Sequence, residues 1–128
     1  MIQVVPLQDL EKRRRLLEAA GATAPTAEIL MMSDGDREVG WAAVELAGQA
    51  VRIVKLTAQG WDGAAKPGPE EIFVLDTLMR SAASYGEVFG AREIVTAFPD
   101  FYDFFKLRGF TQEADCARTP MSTIVHYE

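Results

Sequence analysis

Cysteine and histidine are scarce in this sequence, and positive charge is outnumbered by negative. One cysteine, Cys116, and one histidine, His126, stand among 128 residues. A single thiol closes no internal disulfide and supplies no thiolate-rich metal site, so a metal-free chain in a reducing, cytoplasmic setting is expected. Lys and Arg number 13 against 19 Asp and Glu, which gives a formal net charge of −6 and a pI near 4.8. A surface that tracks phosphates needs clustered cations to displace counterions, so nucleic-acid binding is not expected. Long apolar runs are missing too: nothing approaches the ~18 continuous residues of a membrane span. The start, Met1-Ile-Gln-Val-Val-Pro-Leu7, has no basic stretch ahead of an apolar core, so a soluble, unexported protein is expected.

What is present is an apolar content of 48%, enough for one domain that buries roughly two thirds of the surface its unfolded chain exposes. Ile2 to Leu7 reads as a strand. Pro6 has no N–H to give a ladder, which confines that strand to an edge or a strand end. A helix follows, with Asp9 as N-cap, Leu10, Leu17 and Ala20 on one face beside Leu16, and Gly21 as its stop. Its other face carries Lys12, Arg13, Arg14 and Arg15, read as a solvated basic face.

From residue 27 the period changes. Ala27–Met32, Val39–Leu46 and Ala50–Ala58 read as three strands joined by the turn-like Ser33–Arg37 and Ala47–Gln49, an antiparallel meander. In the third strand Val51 and Ile53 share a face, and the next inward residue is Leu56 or Lys55. Pro69 suits the first helical position, and Glu70 and Glu71 suit the positive end of the dipole, so a helix is expected from Pro69 to about Gly86 or Gly90. Ile72, Leu75, Leu78, Met79, Ala82 and Ala83 form its apolar stripe, with Asp76 and Arg80 paired outside. Ile94–Phe98 reads as a strand and Pro99–Arg108 as an aromatic helix. Phe110–Cys116 and Ser122–Tyr127 read as a closing hairpin.

This order of elements, together with Gly90-Ala-Arg-Glu-Ile-Val95 and Phe104-Phe-Lys-Leu-Arg-Gly-Phe110, resembles the GNAT family of N-acetyltransferases over nearly the whole chain. The second segment is similar to that family's aromatic-Tyr-x-x-x-Gly-Phe helix. The resemblance implies a single α+β domain over residues 1–128, with a mixed, mostly antiparallel central sheet flanked by helices. It also implies acetyl transfer from acetyl-CoA, or another CoA ester, directly to an amine. In such a site a backbone N–H from Leu56, Thr57 or Ala58 would polarise the thioester carbonyl. Lys66 and Gly68 would meet the diphosphate, and Phe105 would lie along the pantetheine arm.

Three departures from the family pattern bear on function. The family's Gln/Arg-x-x-Gly-x-Gly/Ala diphosphate turn is degenerate here: Gln59 to Gly63 is one residue too long, and Pro67-Gly-Pro-Glu-Glu71 brings two carboxylates to a helix start that would bind an anion. The family's proton-donating tyrosine falls at Phe105, which has no proton to give; water can take that role, and Tyr102, one helical turn away, reads first as a structural tyrosine and second as a substitute donor. Only Gln8 to Thr26 lies between the first and second strands, room for one helix where the family has two. The acceptor side is therefore expected to be open, or completed by a second copy in a homodimer. Glu45, Cys116 and His126 are unmarked as base or nucleophile, and Trp41 and Trp61 read as packing residues. Two functions follow from the same residues. One is an acyl-CoA-dependent N-acetyltransferase; the other is a non-catalytic relative that binds another small ligand or a protein partner.

Overall fold

The computed structural model describes residues 1–61, 66–96, 102–113 and 116–125. Its first strand, β1 (Ile2–Pro6), lies at one edge of the sheet and pairs antiparallel with β2 (Glu28–Asp34). Leu7 donates its N–H to the Ile29 carbonyl at 2.9 Å. N–H groups alternate sides along an antiparallel strand, so the odd positions face β2 and the nitrogen of Pro6 faces the open edge, where no ladder bond is lost.

β3 (Arg37–Ala47) and β4 (Ala50–Ala58) complete the meander, and β4 matches the sequence expectation at both ends. β5 (Glu93–Thr96) pairs parallel with β4, and β7 (Ala117–Pro120) then pairs antiparallel with β5 and with β6 (Thr111–Gln112). The result is a seven-stranded mixed sheet in the order β1-β2-β3-β4-β5-β7-β6. Its only parallel contact among the described pairs is β4 with β5, which needs the long crossover that a helix supplies.

That crossover contains α2 (Pro69–Val88), which buries Leu75, Leu78, Met79, Ala82, Ala83 and Gly86 on one face of the sheet. Leu30, Met32, Val44, Ile53 and Ile94 face it from the strands. Each fully buried Leu, Ile or Met there stabilises the fold by about 1.5–3 kcal/mol relative to exposure. Ile72, expected in the stripe, is only half-buried because it lies in the first turn, beyond the thickest part of this contact.

α1 (Leu10–Ala20) covers part of the opposite face. Asp9 caps it by accepting the Lys12 N–H at 3.1 Å, and Gly21 ends it at φ 75°. Leu16, Leu17 and Ala20 pack with Ile29, Ala43, Trp41 and Val54. Leu10 departs from the expected apolar face: it is 73% exposed, because as the first helical residue it projects before the helix reaches the sheet. The basic run is less solvated than its charge suggests. Lys12 pairs with Glu38, Arg13 with Glu28 at 2.7 Å and Arg14 with Glu18 at 3.0 Å, so the sheet and the helix supply the counter-charges.

The C-terminal part corrects the sequence reading. α3 (Tyr102–Lys106) is described over five residues, and the expected strand and helix residues 97–101 lie outside the described ones. The closing hairpin exists but is shifted. Its strands are β6 and β7, while Ser122, expected in a strand, sits in a 3-10 turn over Met121–Thr123. Ala117 and Thr119 are the inward positions of β7. Their small, partly polar side chains give a weaker alternation than the downstream Ile124 and Val125, which drew the expectation away, and Pro120 ends the strand. Residues 126 and 127, the end of the expected second strand, lie outside the described residues.

Candidate functional site

The candidate site lies at the C-terminal end of β4, past a bulge that resets the strand. Ala43 pairs with Lys55 but Val44 pairs with Ile53, so Val54 is the extra residue. Val51 and Ile53 face α2 before the bulge and Leu56 and Ala58 face it afterwards, while Val54 turns to the α1 side. This settles the Leu56 or Lys55 choice in favour of Leu56. It also fixes the backbone. Gln59 donates its N–H to Val39 at 2.8 Å, so the N–H groups of Thr57 and Lys55 face β3 and those of Leu56 and Ala58 point to the side on which β5 lies. The described ladder between β4 and β5 covers only Ala50–Ile53. Two N–H donors of β4 thus extend beyond its last described rung, on the side of the crossover.

Cavities flank this strand end on both faces of the sheet. One, of about 570 Å³, is bounded by Val39, Ala58, Gln59, Glu70, Phe73 and Val74 on the α2 side. The other, of about 270 Å³, lies on the α1 side between Leu16, Met31, Trp41, Thr57 and Gln59. Thr57 donates its hydroxyl to the Trp41 carbonyl at 3.3 Å, which keeps that hydroxyl occupied across the strand pair.

The start of α2 faces the same region with a charge unsuited to an anion. Gly68 is the N-cap and Pro69 the first helical residue, so the first turn offers one N–H fewer. Glu71, three residues after the cap, folds back until its carboxylate oxygens lie 3.6 Å from where a Cβ on Gly68 would stand. Glu71 thus sits at the third helical position, where a capping box carries its carboxylate, and sets a negative charge against the helix start. Glu70 and Lys66 are exposed beside it. The β4 end thus presents backbone donors, whereas the start of α2 presents two carboxylates and a proline. Gly63 of the expected turn lies outside the described residues.

The remaining sequence candidates separate clearly. Phe105 is fully buried, with its ring centroid 5.2 Å from Phe104 and 5.0 Å from Phe110. Tyr102 is the first residue of α3. Glu45 is 7% exposed and bonded to Arg52 at 2.7 Å; it lies four residues along β3 from Trp41, about 13 Å at strand rise, away from the β4 end. Cys116 is half-buried with its thiol 3.9 Å from a Glu113 carboxylate oxygen. Trp41 packs under α1 and Trp61 against the main core. His126 lies outside the described residues. No metal-holding group of His, Cys, Asp and Glu occurs among the described residues, and none of the described helices is long and apolar enough to cross a membrane.

One cluster was not foreseen as a unit. Asp76 of α2 accepts from Arg80 Nε at 2.9 Å and from Arg108 Nε at 2.7 Å, while Arg108 Nη1 donates to the Phe104 carbonyl at 2.9 Å. Burial pushes the Asp76 carboxyl up, but the bonds and charges of Arg108 and Arg80 together hold it below its ordinary 3.8. The Asp76–Arg80 half follows from i,i+4 spacing; Arg108 joins from 32 residues away, beyond any local pattern.

No family model and no curated protein sequence matches this chain. Solved structures do. The ribosomal-protein-S18-alanine N-acetyltransferase from Escherichia coli superposes with a TM-score of 0.68 at 8% identity, covering 94% of both chains. PaiA N-acetyltransferase from Thermoplasma acidophilum, in complex with coenzyme A, gives 0.66 at 12% identity over 94% of this chain and 99% of that one. The aminoglycoside 6'-N-acetyltransferase from Enterococcus faecium gives 0.67 at 10% identity over 93% and 97%. Sheet order, parallel β4–β5 contact and crossover helix agree with these matches across nearly the full length of each protein: the chain has the GNAT acyl-CoA N-acyltransferase fold.

Proposed function

We propose that this protein is an acyl-thioester-dependent N-acyltransferase, with acetyl-CoA as the donor and a small amine as the acceptor. The observation that carries the reading is the end of β4, where the N–H groups of Leu56 and Ala58 point past the last described β5 rung. When bound, the thioester would supply an activated acyl carbon to the amine, and the products would be an amide and a free thiol. The two N–H donors would stabilise charge on the carbonyl oxygen, a preorganised backbone device that leaves no side-chain signature. Tyr102 is the phenol of α3; Phe105 has no proton to give, so water or Tyr102 would return the proton to the leaving sulfur. No metal enters this scheme. Among the described helices α1 is the one on its face of the sheet, and an acceptor side there would leave room for substrate or for a second copy. The net charge of −6 favours a small cationic substrate over nucleic acid or an anionic membrane, and the single cysteine fits a cytoplasmic setting.

A second reading is favoured by the start of α2. Pro69, Glu70 and Glu71 suit a non-catalytic relative whose cleft holds another small ligand or a protein partner. Thermal unfolding with and without millimolar acetyl-CoA and free CoA separates the two. A ligand at a hundredfold its Kd stabilises by about 2.7 kcal/mol, several degrees in midpoint for a domain of this size. A shift followed by amide formation in an amine panel supports the transferase. No shift with either ligand removes it and leaves the second reading.

A further inference from the structure

The described part of α3 is short. Its five residues lie far below the ~12–15 at which an isolated helix becomes even marginal in water, and the carbonyls of Asp103, Phe105 and Lys106 accept N–H groups from residues 107–110, just past the helix. Phe104 and Phe105 anchor one side in the core. Packing alone fixes depth better than rotation, because aromatic contact is not directional in the way a hydrogen bond is.

The polar side is fixed by Arg108. Its guanidinium makes three contacts: Nε to Asp76 Oδ1 at 2.7 Å, Nη1 to the Phe104 carbonyl at 2.9 Å, and Cζ over the Phe104 ring, 3.7 Å from its centre. The first reaches α2, the second bonds the Phe104 carbonyl of α3, and the third lies over the Phe104 ring. A cation at the C-terminal end of a helix also meets the negative end of its dipole. The Arg108 side chain is 18% exposed against 51% for Arg80, the other partner of Asp76, so Arg108 forms the sheltered half of the cluster. A planar fork can satisfy these directions together, whereas an ammonium is a single point.

We propose that Arg108 and Asp76 are positioning residues. They lock the rotation of α3 against α2 and so set where Tyr102, its first residue, stands relative to the end of β4. The functional part of this inference rests on the transferase reading; the mechanical part does not.

The test uses Arg108→Ala, Arg108→Lys and Asp76→Asn in the full chain, with amide hydrogen exchange and acetyl-CoA-induced thermal shift as readouts. The amides that report on α3 are Leu107, Arg108 and Phe110, which donate to Asp103, Phe105 and Phe105. Local opening is seen as faster exchange there with the core unchanged. In Arg108→Ala these amides should exchange about tenfold faster while those of β4 and α2 keep their protection, and the acetyl-CoA shift should fall by about half or more. Arg108→Lys should recover part of both, and Asp76→Asn, nearly isosteric, covers the case in which Arg108→Ala fails to fold. If the parent chain shows no acetyl-CoA shift, the transferase reading fails and exchange alone decides the locking of α3. Unchanged α3 exchange in the folded variants, or an equal rise throughout the core, overturns the proposal.

Discussion

Gly86 of α2 lies so close to Val51 of β4 that a Cβ placed on it would stand 2.5 Å from the Val51 Cβ and 2.6 Å from Cγ1. This contact sets the distance at which the crossover helix lies on its strand. By helix propensity alone Gly86→Ala should stabilise by about 0.8–1.0 kcal/mol. The overlap involves a branched side chain fixed at its own Cβ, so it cannot be relieved by a rotamer change, and overpacking of this kind costs about 1–3 kcal/mol. Gly86→Ala is therefore expected to lower the thermal midpoint by a few degrees. A raised midpoint in a melting experiment would mean that α2 lifts off β4 at little cost.

The Asp76 cluster has a pH signature. Its carboxyl is held below the ordinary 3.8, so the stability it contributes is complete above that value and drains away as pH falls through the lower folded value. Asp76→Asn should be less stable than the parent at neutral pH, and the gap should close in the acid range below about pH 4. Urea midpoints of both proteins along a pH series test this. A gap that persists unchanged to pH 2 would show that Asn fails for lack of shape rather than charge.

Glu70 and Glu71 make a prediction that separates helix stability from ligand affinity. Each carboxylate at a helix start is worth about 0.3–1 kcal/mol to the helix and opposes a bound anion by a similar amount. Glu70→Gln with Glu71→Gln should thus weaken the fold slightly while strengthening CoA binding by the order of tenfold. Titration calorimetry of the two proteins with free CoA measures it at a fixed, stated salt. Equal affinities would place the diphosphate away from this helix start.

Much of the fold was legible because its signals are local. Pro6 marked an edge strand, Asp9 and Gly21 marked the ends of α1, and Pro69 marked the start of α2. β4 was readable to the residue, but its bulge at Val54 was not, since an extra residue leaves composition unchanged and shows only in the Ala43–Lys55 and Val44–Ile53 rungs. β7 was displaced by several residues because Ala117 and Thr119 fill a buried face with little hydrophobic contrast. The site was less legible than the fold for the same physical reason. Backbone donors at Leu56 and Ala58 carry no side-chain code, and Arg108 finds Asp76 only after the crossover brings α2 and α3 together.

Phe105 provides the sharpest test of the chemistry, because it occupies the position that resembles a proton-donating tyrosine. It is 0% exposed and in contact with Phe104 and Phe110. A hydroxyl added there needs a partner among apolar rings, and an unpaired buried hydroxyl costs about 1–3 kcal/mol. Phe105→Tyr is expected to lose stability by that order and to leave acyl transfer no faster. Tyr102→Phe, in contrast, should slow transfer with little loss of stability if that phenol protonates the leaving sulfur, since general-acid catalysis contributes about 10²–10⁴-fold. The pair of variants distinguishes two geometries. A stable, faster Phe105→Tyr would mean that the ring edge at 105 faces the donor sulfur and that α3 turns toward the cleft when donor binds. A slow Tyr102→Phe beside an unimproved Phe105→Tyr would place the proton one turn earlier, on the residue whose position the Arg108–Asp76 pair is proposed to set.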